Sequence, residues 1–413
     1  MEVLKIATAG SVDDGKSTLI GRILYDTRSL TDDKLEAIER TSKQKGFDYL
    51  DFSLATDGLV AEREQGITID VAHIYFSTAK KSYIIADTPG HVEYTRNMVT
   101  GASTSQAAII LVDARNGVIE QTYRHFFINN LLKVKDIIVA VNKMDLVDFA
   151  QDKFEAIKTE ITALAERAGS TQNITFIPVS ALQGDNVVDR STKTPWYTGT
   201  TLLEHFEKLE AQDVYEESVA RLPVQTVIRP KTDDFHDFRG YAGKLYGGSL
   251  AVGDEVTVLP SKTSSKIKDI YFFDKKYSVA ERGTSINVTL ENDINISRGD
   301  IIVKASELPQ ETKQLNAKVC WMDATNLVVG KKYFIQQGAN VIAAKVASID
   351  AVIATDFSGE TPATELKINE IGKVSFKLAK TLFYDTYAVN KTTGSFVLID
   401  PQTNNTSGAG FIQ

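Results

Sequence analysis

The sequence predicts a multidomain protein in which an N-terminal α/β domain is followed by two β-barrel domains. Its 413 residues exceed one domain of typical size, which is about 100 to 200 residues. Over residues 1–210, short apolar runs alternate with helical patterns, as in a parallel sheet covered by helices on both faces. After residue 209 the helical periods fade, and short β-branched runs alternate with Gly, Asp and Asn turns. We expect domains at 1–211, 218–305 and 310–413.

Five apolar runs are the expected strands of the first domain, and each is followed by a turn or polar residue. The runs are 3–9, 83–86, 107–112, 137–141 and 174–179. The residues that follow them are Gly10, Asp87, Asp113, Asn142 and Ser180. Because ligands of open α/β sheets bind beyond the carboxyl ends of the strands, these positions predict one shared crevice.

The expected barrel strands are shorter and lie between turn residues. Those of the first barrel are 223–230, 243–245, 255–259 and 286–290. Those of the second barrel begin near Leu315 and include 332–336, 341–347, 366–371, 372–377 and 395–399. No internal repeat of fixed period is visible.

Composition restricts the function classes. Hydrophobic residues make up 43% and charged residues 24%, which is typical of a globular protein and excludes wholesale disorder. A net charge of -8 argues against a broad basic face for nucleic acid, because phosphate contacts need clustered Lys and Arg. A single cysteine, Cys320, excludes an internal disulfide and suits a reducing compartment. The histidines outside the motifs below have no metal-like spacing and are expected to be structural: His73, His125, His205 and His236.

No export signal or membrane span is visible in the sequence. The N-terminus MEVLKIATAG leads directly into a strand and lacks the charged and apolar regions of a signal peptide. No stretch of about 18 apolar residues follows. We therefore expect a cytoplasmic protein without a membrane partner.

Residues 10–17 read GSVDDGKS and match G-x-x-x-x-G-K-[ST] between an expected strand and helix. In this motif, backbone N–H groups surround phosphate oxygens, Lys16 reaches the β and γ phosphates, and Ser17 ligates Mg²⁺. The alternative, a plain glycine turn, does not explain the lysine and serine. The expected phosphate-binding residues are Gly10, Ser11, Val12, Asp13, Asp14, Gly15, Lys16, Ser17 and Thr18.

Two further motifs predict the γ-phosphate side of the site. DTPGH, residues 87–91, follows a strand, so Asp87 can hold Mg²⁺ through a water and Gly90 can direct its N–H at the γ-phosphate. EREQGITID, residues 62–70, places Thr68 to complete the Mg²⁺ shell, although it could also be a charged surface segment. His91 is expected to orient the attacking water; the alternative is an exposed loop histidine. The sequence thus predicts His91, Lys16 and Thr68 as catalytic residues.

The tetrapeptide NKMD, residues 142–145, predicts which base is bound. Guanine presents adjacent N–H donors at N1 and N2, and the Asp145 carboxylate can accept both, whereas adenine would leave it unpaired. Lys143 is expected to cover the base and Asn142 to connect neighbouring loops. After the next strand, a backbone N–H can donate to the guanine carbonyl from the segment Ser180, Ala181 and Leu182. GTP and Mg²⁺ are the expected cofactors.

In this order the motifs resemble those of translation-factor-type P-loop GTPases. Longer segments resemble the large, GTP-hydrolysing subunit of sulfate adenylyltransferase: TDGLVAEREQGITIDVAHIYFST, DTPGHVEYTRNMVTGAST, SALQGDNVV, FRGYAGKLYGGSLAVGDEVTVLPS and GSFVLIDPQTNNTSGAGFI. The resemblance covers essentially the whole chain. It implies a separate small catalytic subunit that forms adenosine 5'-phosphosulfate and pyrophosphate from ATP and sulfate, a reaction driven by GTP hydrolysis on the large subunit. It also implies that Val12 and Ile67 flank the catalytic histidine, although both could serve as core residues.

Two departures from the family pattern are visible. The family often shows GHEQYTRN, whereas this chain has GHVEYTRN, so Val92 and Glu93 alter the residues after His91. Some relatives also carry a C-terminal kinase domain with its own P-loop, and this sequence contains none. We expect the first departure to affect rate or partner coupling.

Two other functions share the same nucleotide motifs. One is a translational factor that carries aminoacyl-tRNA, which the regions outside the motifs disfavour. The other is a GTP-binding scaffold without turnover, which the presence of Thr68, Asp87 and His91 disfavours. We therefore expect an enzyme subunit that acts with a protein partner and without nucleic acid.

Overall fold

The computed structural model describes residues 2–44, 46–55, 71–88, 95–210, 219–230, 238–273 and 275–413. These residues form two compact units. The first comprises 1–213 with the short segment Ala354–Ser358, and the second comprises Val214–Ile353 and Gly359–Gln413. No described helix is long and apolar enough to cross a membrane.

The first unit is an α/β sandwich. Its sheet contains β1 Val3–Ala9, β2 Ala72–Ser77, β3 Ser82–Asp87, β4 Ala107–Asp113, β5 Asp136–Asn142 and β6 Asn173–Pro178. The described helices are α1 Lys16–Asp26, α2 Asp32–Gln44, α3 Thr95–Ser103, α4 Glu120–Leu131, α5 Gln151–Arg167 and α6 Leu202–Lys208, with 3₁₀ turns at Phe52–Ala55 and Met144–Val147. The strand order is β2-β3-β1-β4-β5-β6, and only the β2–β3 pairing is antiparallel.

The central strands of this sheet are covered on both faces. Every residue of β4 is buried, as the continuous apolar run AAIILV requires of a parallel strand between helix layers. Ile109 and Leu111 pack into one core cluster, and Ile110 and Val112 pack into the other. The carboxyl ends of β1, β3, β4 and β5 lie at one edge of the sheet, where the candidate site is found.

The second unit begins with an antiparallel sheet. Its strands are β7 Arg221–Pro223, β8 Thr226–Ile228, β9 Gly240–Lys244, β10 Leu250–Ala251, β11 Glu255–Leu259, β12 Thr263–Phe272, β13 Lys275–Tyr277, β14 Val279–Ala280, β15 Ser285–Leu290 and β16 Ile301–Lys304. The order is β7-β16-β11-β12-β15-β9-β8, with β13 beside β12 and a separate β10–β14 ribbon.

The rest of the second unit is a closed barrel. Its strands are β17 Gln310–Trp321, β18 Leu327–Val328, β19 Lys332–Gln337, β20 Asn340–Ile353, β21 Glu360–Pro362, β22 Glu365–Leu366, β23 Ile371–Tyr384, β24 Ser395–Ile399 and β25 Thr406–Ile412. Six of them close through the order β19-β24-β25-β17-β23-β20, because β19 also pairs with β20. Side chains at alternate positions fill the interior, as in other small barrels.

A buried ion pair connects the two sheets of the second unit. Nε and Nη2 of Arg221 donate to the two carboxylate oxygens of Asp385 at 2.9 and 2.8 Å. The Thr393 hydroxyl donates to the same carboxylate at 2.6 Å, and Arg221 Nη1 donates to the Glu307 carbonyl at 2.7 Å. With every charged atom paired in this way, the ion pair can lie almost out of contact with water.

The predicted fold class is confirmed, while two expected strands are wrong. The run 223–230 is divided, because Val224 donates to the Asp300 carbonyl and Gln225 then donates to that of Ala242, so the chain changes partner strand there. The run 366–371 is mostly a turn, with Asn369 at a φ of 66°. The expected domain bounds stay predictions; contacts group the two β sheets into one unit.

Candidate nucleotide-binding site

Residues 10–17 form the turn between β1 and α1. Gly15 has a φ of 90°, a conformation that favours glycine, and a Cβ there would lie 2.5 Å from Asn142 Nδ2. At Gly10 a Cβ would meet Leu111 Cβ at 3.0 Å. Both glycines are therefore required by the close packing of this turn against its neighbours.

The start of α1 presents hydrogen-bond donors without acceptors. The first amides of a helix, here those of Lys16, Ser17 and Thr18, have no intrahelical partner, and the N-cap residue Gly15 has no side chain to accept from them. In the same turn the hydroxyl of Ser11 is buried, and its oxygen has no partner in hydrogen-bond geometry among the described residues. A cluster of unsatisfied donors at a helix N-terminus is suited to phosphate oxygens.

Asp14 fixes the shape of this turn from inside. Its Oδ2 accepts a hydrogen bond from the Ser11 amide at 2.7 Å. Burial raises the pKa of the Asp14 carboxyl to about 6, although this hydrogen bond lowers it, and the nearby Asp113 charge raises it further. At the tip of the turn, Asp13 has a φ of 67° and the apolar side chain of Val12 is 41% exposed.

Lys16 connects the P-loop to the end of β3. Its side chain is 8% exposed, and its Nζ donates to the Thr88 carbonyl and lies 3.6 Å from Asp87 Oδ1. Thr8 Oγ1 donates to the same carboxylate oxygen at 3.1 Å, and Thr88 Oγ1 donates to the Thr8 carbonyl at 2.5 Å. Asp87 is thus held toward the P-loop by one charge and one hydroxyl.

The residues expected to hold Mg²⁺ supply the correct kind of ligand. The described residues contain no cluster of three or more His, Cys, Asp or Glu side chains that could hold a metal. Mg²⁺ usually takes one or two protein oxygens and completes its shell with waters and substrate phosphates. The Ser17 hydroxyl beside the phosphate-binding amides and the Asp87 carboxylate fit that donor set.

Asn142 ties the three loops of the site together. Its Nδ2 donates to the Asp14 carbonyl at 2.7 Å, and its Oδ1 accepts from the Ala181 amide at 2.9 Å. Asn142 is buried at the end of β5, where its rotamer is restricted by packing. One amide side chain therefore sets the separation between the phosphate turn and the loop that follows β6.

Lys143 is held by a network that the motifs did not reveal. Its Nζ donates to the Asp13 carbonyl and lies 3.0 Å from Asp113 Oδ2. Arg115 also contacts the Asp113 carboxylate, through its amide at 2.9 Å, its Nε at 3.0 Å and its Nη2 at 2.6 Å. Burial raises the pKa of Asp113, but the hydrogen bonds from Arg115 and Lys143 outweigh it and lower the pKa to about 2.

Sequence reasoning identified Asp113 only as a polar residue after a strand. That position was the available signal, because Asp113 pairs with Asn142 in the parallel β4–β5 register. Arg115 carried no signal of its own.

The two loops that are expected to bind the guanine base contain hydrogen-bonding groups without a partner among the described residues. Asp145 is half-buried, and its carboxylate has no hydrogen-bond partner among the described residues. The Ser180 amide donates to the Asp185 carbonyl at 3.1 Å, and the Ala181 amide is used by Asn142. The Leu182 amide, in contrast, has no acceptor within the described part of the chain.

Comparison with known proteins identifies the family. The model for the elongation factor Tu GTP binding domain matches residues 1–218, and that for the GTP-eEF1A C-terminal domain-like family matches 314–413. "Sulfate adenylyltransferase subunit 1" of Bacteroides fragilis is 48% identical over 413 residues, covering 100% of this chain and 86% of the relative. "Bifunctional enzyme CysN/CysC" of Mycobacterium tuberculosis is 48% identical over 412 residues, covering 99% of this chain and 67% of the relative.

The chain belongs to the sulfate adenylyltransferase subunit 1 family. The resemblance found in the sequence is therefore confirmed. The GTPase-like domain of Saccharomyces cerevisiae Ski7, solved with GDP and inorganic phosphate, shares the fold at a TM-score of 0.53 and 17% identity, covering 100% of this chain and 97% of that one. Because these relatives are named subunit 1, the family works with a partner subunit.

Most of the expected site residues of this sulfate adenylyltransferase subunit 1 family member lie around one crevice. The structure brings together the P-loop residues, Asp87, the NKMD residues and the loop that begins at Ser180. Thr68, Gly90 and His91 lie outside the described residues, as do Ile67, Val92 and Glu93. Their roles stay predictions.

Proposed function

We propose that this chain is the GTP-hydrolysing subunit of sulfate adenylyltransferase, and that a small catalytic partner forms adenosine 5'-phosphosulfate and pyrophosphate from ATP and sulfate. Full-length identity of 45–48% to relatives named subunit 1 supports the assignment to sulfate activation. The observation that supports GTP binding is the Asn142 bridge, which joins the P-loop at Asp14 to the loop after β6 at Ala181 and lies three residues before Asp145.

The phosphates bind to the helix N-terminus and to Lys16. On their arrival the Lys16 ammonium exchanges the Thr88 carbonyl for phosphate oxygens, and the buried Ser11 hydroxyl gains an acceptor. Ser17, Asp87 and Thr68 would hold Mg²⁺, which would supply positive charge to neutralise the phosphate oxygens. His91 orients the attacking water; phosphoryl transfer needs positioning more than proton abstraction, so its contribution is geometric.

Guanine binds between Lys143 and Asp145. The carboxylate accepts the N1 and N2 protons, the Lys143 stem lies along the base, and the Leu182 amide donates to the guanine carbonyl. An adenine ring would leave Asp145 unpaired in a partly buried place, which disfavours ATP here. ATP therefore binds to the partner subunit, and the two nucleotides do not compete for one site. A cytoplasmic location suits both.

The proposal is tested by measuring pyrophosphate release from ATP and sulfate with the purified chain and its partner, with and without GTP. We expect GTP to raise product formation and to be consumed when the subunits are mixed. His91→Ala should uncouple or stop the reaction, whereas His73→Ala, at an exposed position of β2, should not. If the rate of product formation is the same with and without GTP, GTP hydrolysis is not coupled to sulfate activation.

A second function, a translational factor that carries aminoacyl-tRNA, is suggested by the elongation factor Tu domain match over residues 1–218. It predicts GTP-dependent retention of aminoacyl-tRNA on a filter. The full-length relatives favour sulfate activation, so we expect no retention above that of the nucleotide-free chain.

A further inference from the structure

Three lysines lie side by side across the outer face of the closed barrel. Lys332, Lys345 and Lys377 occupy the adjacent strands β19, β20 and β23, and the register pairs Lys332 with Lys345 and Lys345 with Lys377. Paired residues of antiparallel strands project from the same face. All three are exposed, while the residues next to them along each strand are buried in the barrel. We call these three residues the lysine row.

The lysine row places like charges opposite each other without a counter-charge among the described residues. Like charges directly opposite each other across strands repel. Exposed lysines near the row have carboxylate partners, as Lys373 has Glu360 at 2.7 Å and Lys331 has Asp400 at 3.6 Å. Among the described residues no carboxylate contacts any member of the row. On a chain with a net charge of -8, this is a local positive patch.

An apolar strip adjoins the lysine row on the same face. Phe334 pairs with Ala343 on one side and with Ile399 on the other, and Val341 lies two residues from Ala343 along β20. Val341 is 50% exposed, Ala343 is exposed, and the other two are half-buried. Among the described residues, Val341 and Ala343 are thus outward-facing apolar side chains that stay exposed, as at a protein interface.

We propose that the lysine row and the apolar strip together dock an acidic, partly apolar surface of the catalytic partner subunit. This rests on the proposed function. Neighbouring strands are about 4.8 Å apart, so the row extends over about 10 Å and fits two or three carboxylates on one helix face or strand of the partner. The apolar strip favours a protein over nucleic acid, because phosphates gain nothing from its aliphatic side chains and its one aromatic ring, Phe334, is half-buried.

This arrangement assigns different tasks to the two parts of the surface. The row attracts the acidic partner over a distance of about one Debye length and so raises the association rate, while the apolar strip slows dissociation. Covering the row with carboxylates also removes the repulsion among its lysines.

The test compares two triple variants of the full-length chain. The row variant is Lys332→Gln/Lys345→Gln/Lys377→Gln. The control carries the same charge change at lysines that already have carboxylate partners: Lys262→Gln/Lys266→Gln/Lys276→Gln. Binding to the immobilised partner subunit is followed by interferometry at several NaCl concentrations, and unfolding by urea gives the stability of the free chain.

We expect the row variant to associate on the order of tenfold more slowly at low salt, with a flatter salt dependence. Its urea midpoint should equal or exceed that of the wild type, an outcome opposite to the loss that a structural role would give. The control should bind like the wild type. Intrinsic GTPase activity without the partner should be unchanged in both.

Partner binding by the row variant with wild-type rate and salt dependence would overturn the proposal. A second result would also overturn it: the wild type binds tRNA, and the row variant loses tRNA binding but keeps its affinity for the partner subunit. The lysine row would then bind nucleic acid. Failure of the wild type itself to bind the partner at any salt concentration would instead overturn the proposed function, and the row variant is not needed to detect it.

Discussion

Asp113→Asn tests whether a buried carboxylate holds Lys143 in the guanine-binding position. The Asp113 side chain is 2% exposed, and Lys143 Nζ lies 3.0 Å from it. Asparagine keeps the shape and removes the charge. The pKa of Asp113 is lowered from 3.8 to about 2, so the folded state favours the charged form by roughly 2 kcal/mol. We expect the variant to lose roughly that free energy of unfolding at pH 7.

The loss has a characteristic pH dependence. Because the folded pKa is below the unfolded one, this stabilisation is complete above about pH 4 and disappears as the pH falls toward 2. Wild type and variant should therefore converge in acid. With the Asp113 charge removed, Lys143 loses its ion pair and keeps the hydrogen bond to the Asp13 carbonyl, and we expect GDP to bind about tenfold more weakly, which corresponds to about 1.4 kcal/mol.

Urea unfolding of the nucleotide-free chain and dissociation of a fluorescent GDP analogue measure the two effects separately. Asp136→Asn is the matched control, since that carboxylate lies at the opposite end of β5 and bonds only an exposed asparagine among the described residues. We expect it to stay within about 0.5 kcal/mol of wild type. If Asp113→Asn unfolds and releases GDP as the wild type does, the carboxylate does not position Lys143.

Three further predictions concern the barrel ion pair, a buried histidine and the base. Arg221→Met should cost about 3–5 kcal/mol in urea unfolding because it leaves the Asp385 charge buried, and Arg221→Met/Asp385→Leu should recover most of it; equal losses would contradict this reasoning. Burial lowers the pKa of His125 to about 3, so the unfolded chain binds the extra proton and stability falls as the pH drops below 6.5, by about 2 kcal/mol at pH 5. In His125→Gln the urea midpoint should change less between pH 7 and pH 5, and an undiminished change would refute this. Asp145→Asn should weaken GTP and favour xanthosine triphosphate at least about tenfold, because xanthine presents a carbonyl where guanine has an amino group. Competition against a fluorescent GDP analogue measures the preference, and an unchanged order would exclude Asp145 as the base reader.

The α/β half of the fold was the easier part to predict. The strand expected at 107–112 is found within Ala107–Asp113, since a strand buried on both faces leaves a continuous apolar run in the sequence. The run 366–371 was wrongly predicted as a strand because Leu366 and Ile368 imitate strand alternation. A turn forms there instead, in which the Lys367 amide donates to Glu370 at 2.7 Å. Local pattern alone does not distinguish the two.

The candidate site also contains residues that the sequence predicts and residues that it does not. Asn142 belongs to a motif whose residue types and spacing are set by the nucleotide, so its neighbours could be expected from the sequence. Asp113 acts through Lys143, thirty positions away, and the two meet only because β4 and β5 pair in parallel. Arg221 and Asp385 are separated by 164 positions and belong to no motif. Such pairs depend on how distant strands are aligned in the folded protein, and no local sequence pattern predicts that alignment.

The side chains expected to bind the base and those expected to bind the phosphates differ in the contacts they make within the protein. Asn142 and Lys143 already hold their loops in place through protein contacts, so guanine meets a formed surface. Lys16, in contrast, is paired with Asp87 and the Thr88 carbonyl. A γ-phosphate that draws this ammonium away must release both groups at the end of β3, directly before residues 89–94. On the proposed function, this exchange removes the Lys16 charge from beside the Asp87 carboxylate, so we expect phosphate binding and cation binding to assist each other at the strand end that precedes residues 89–94.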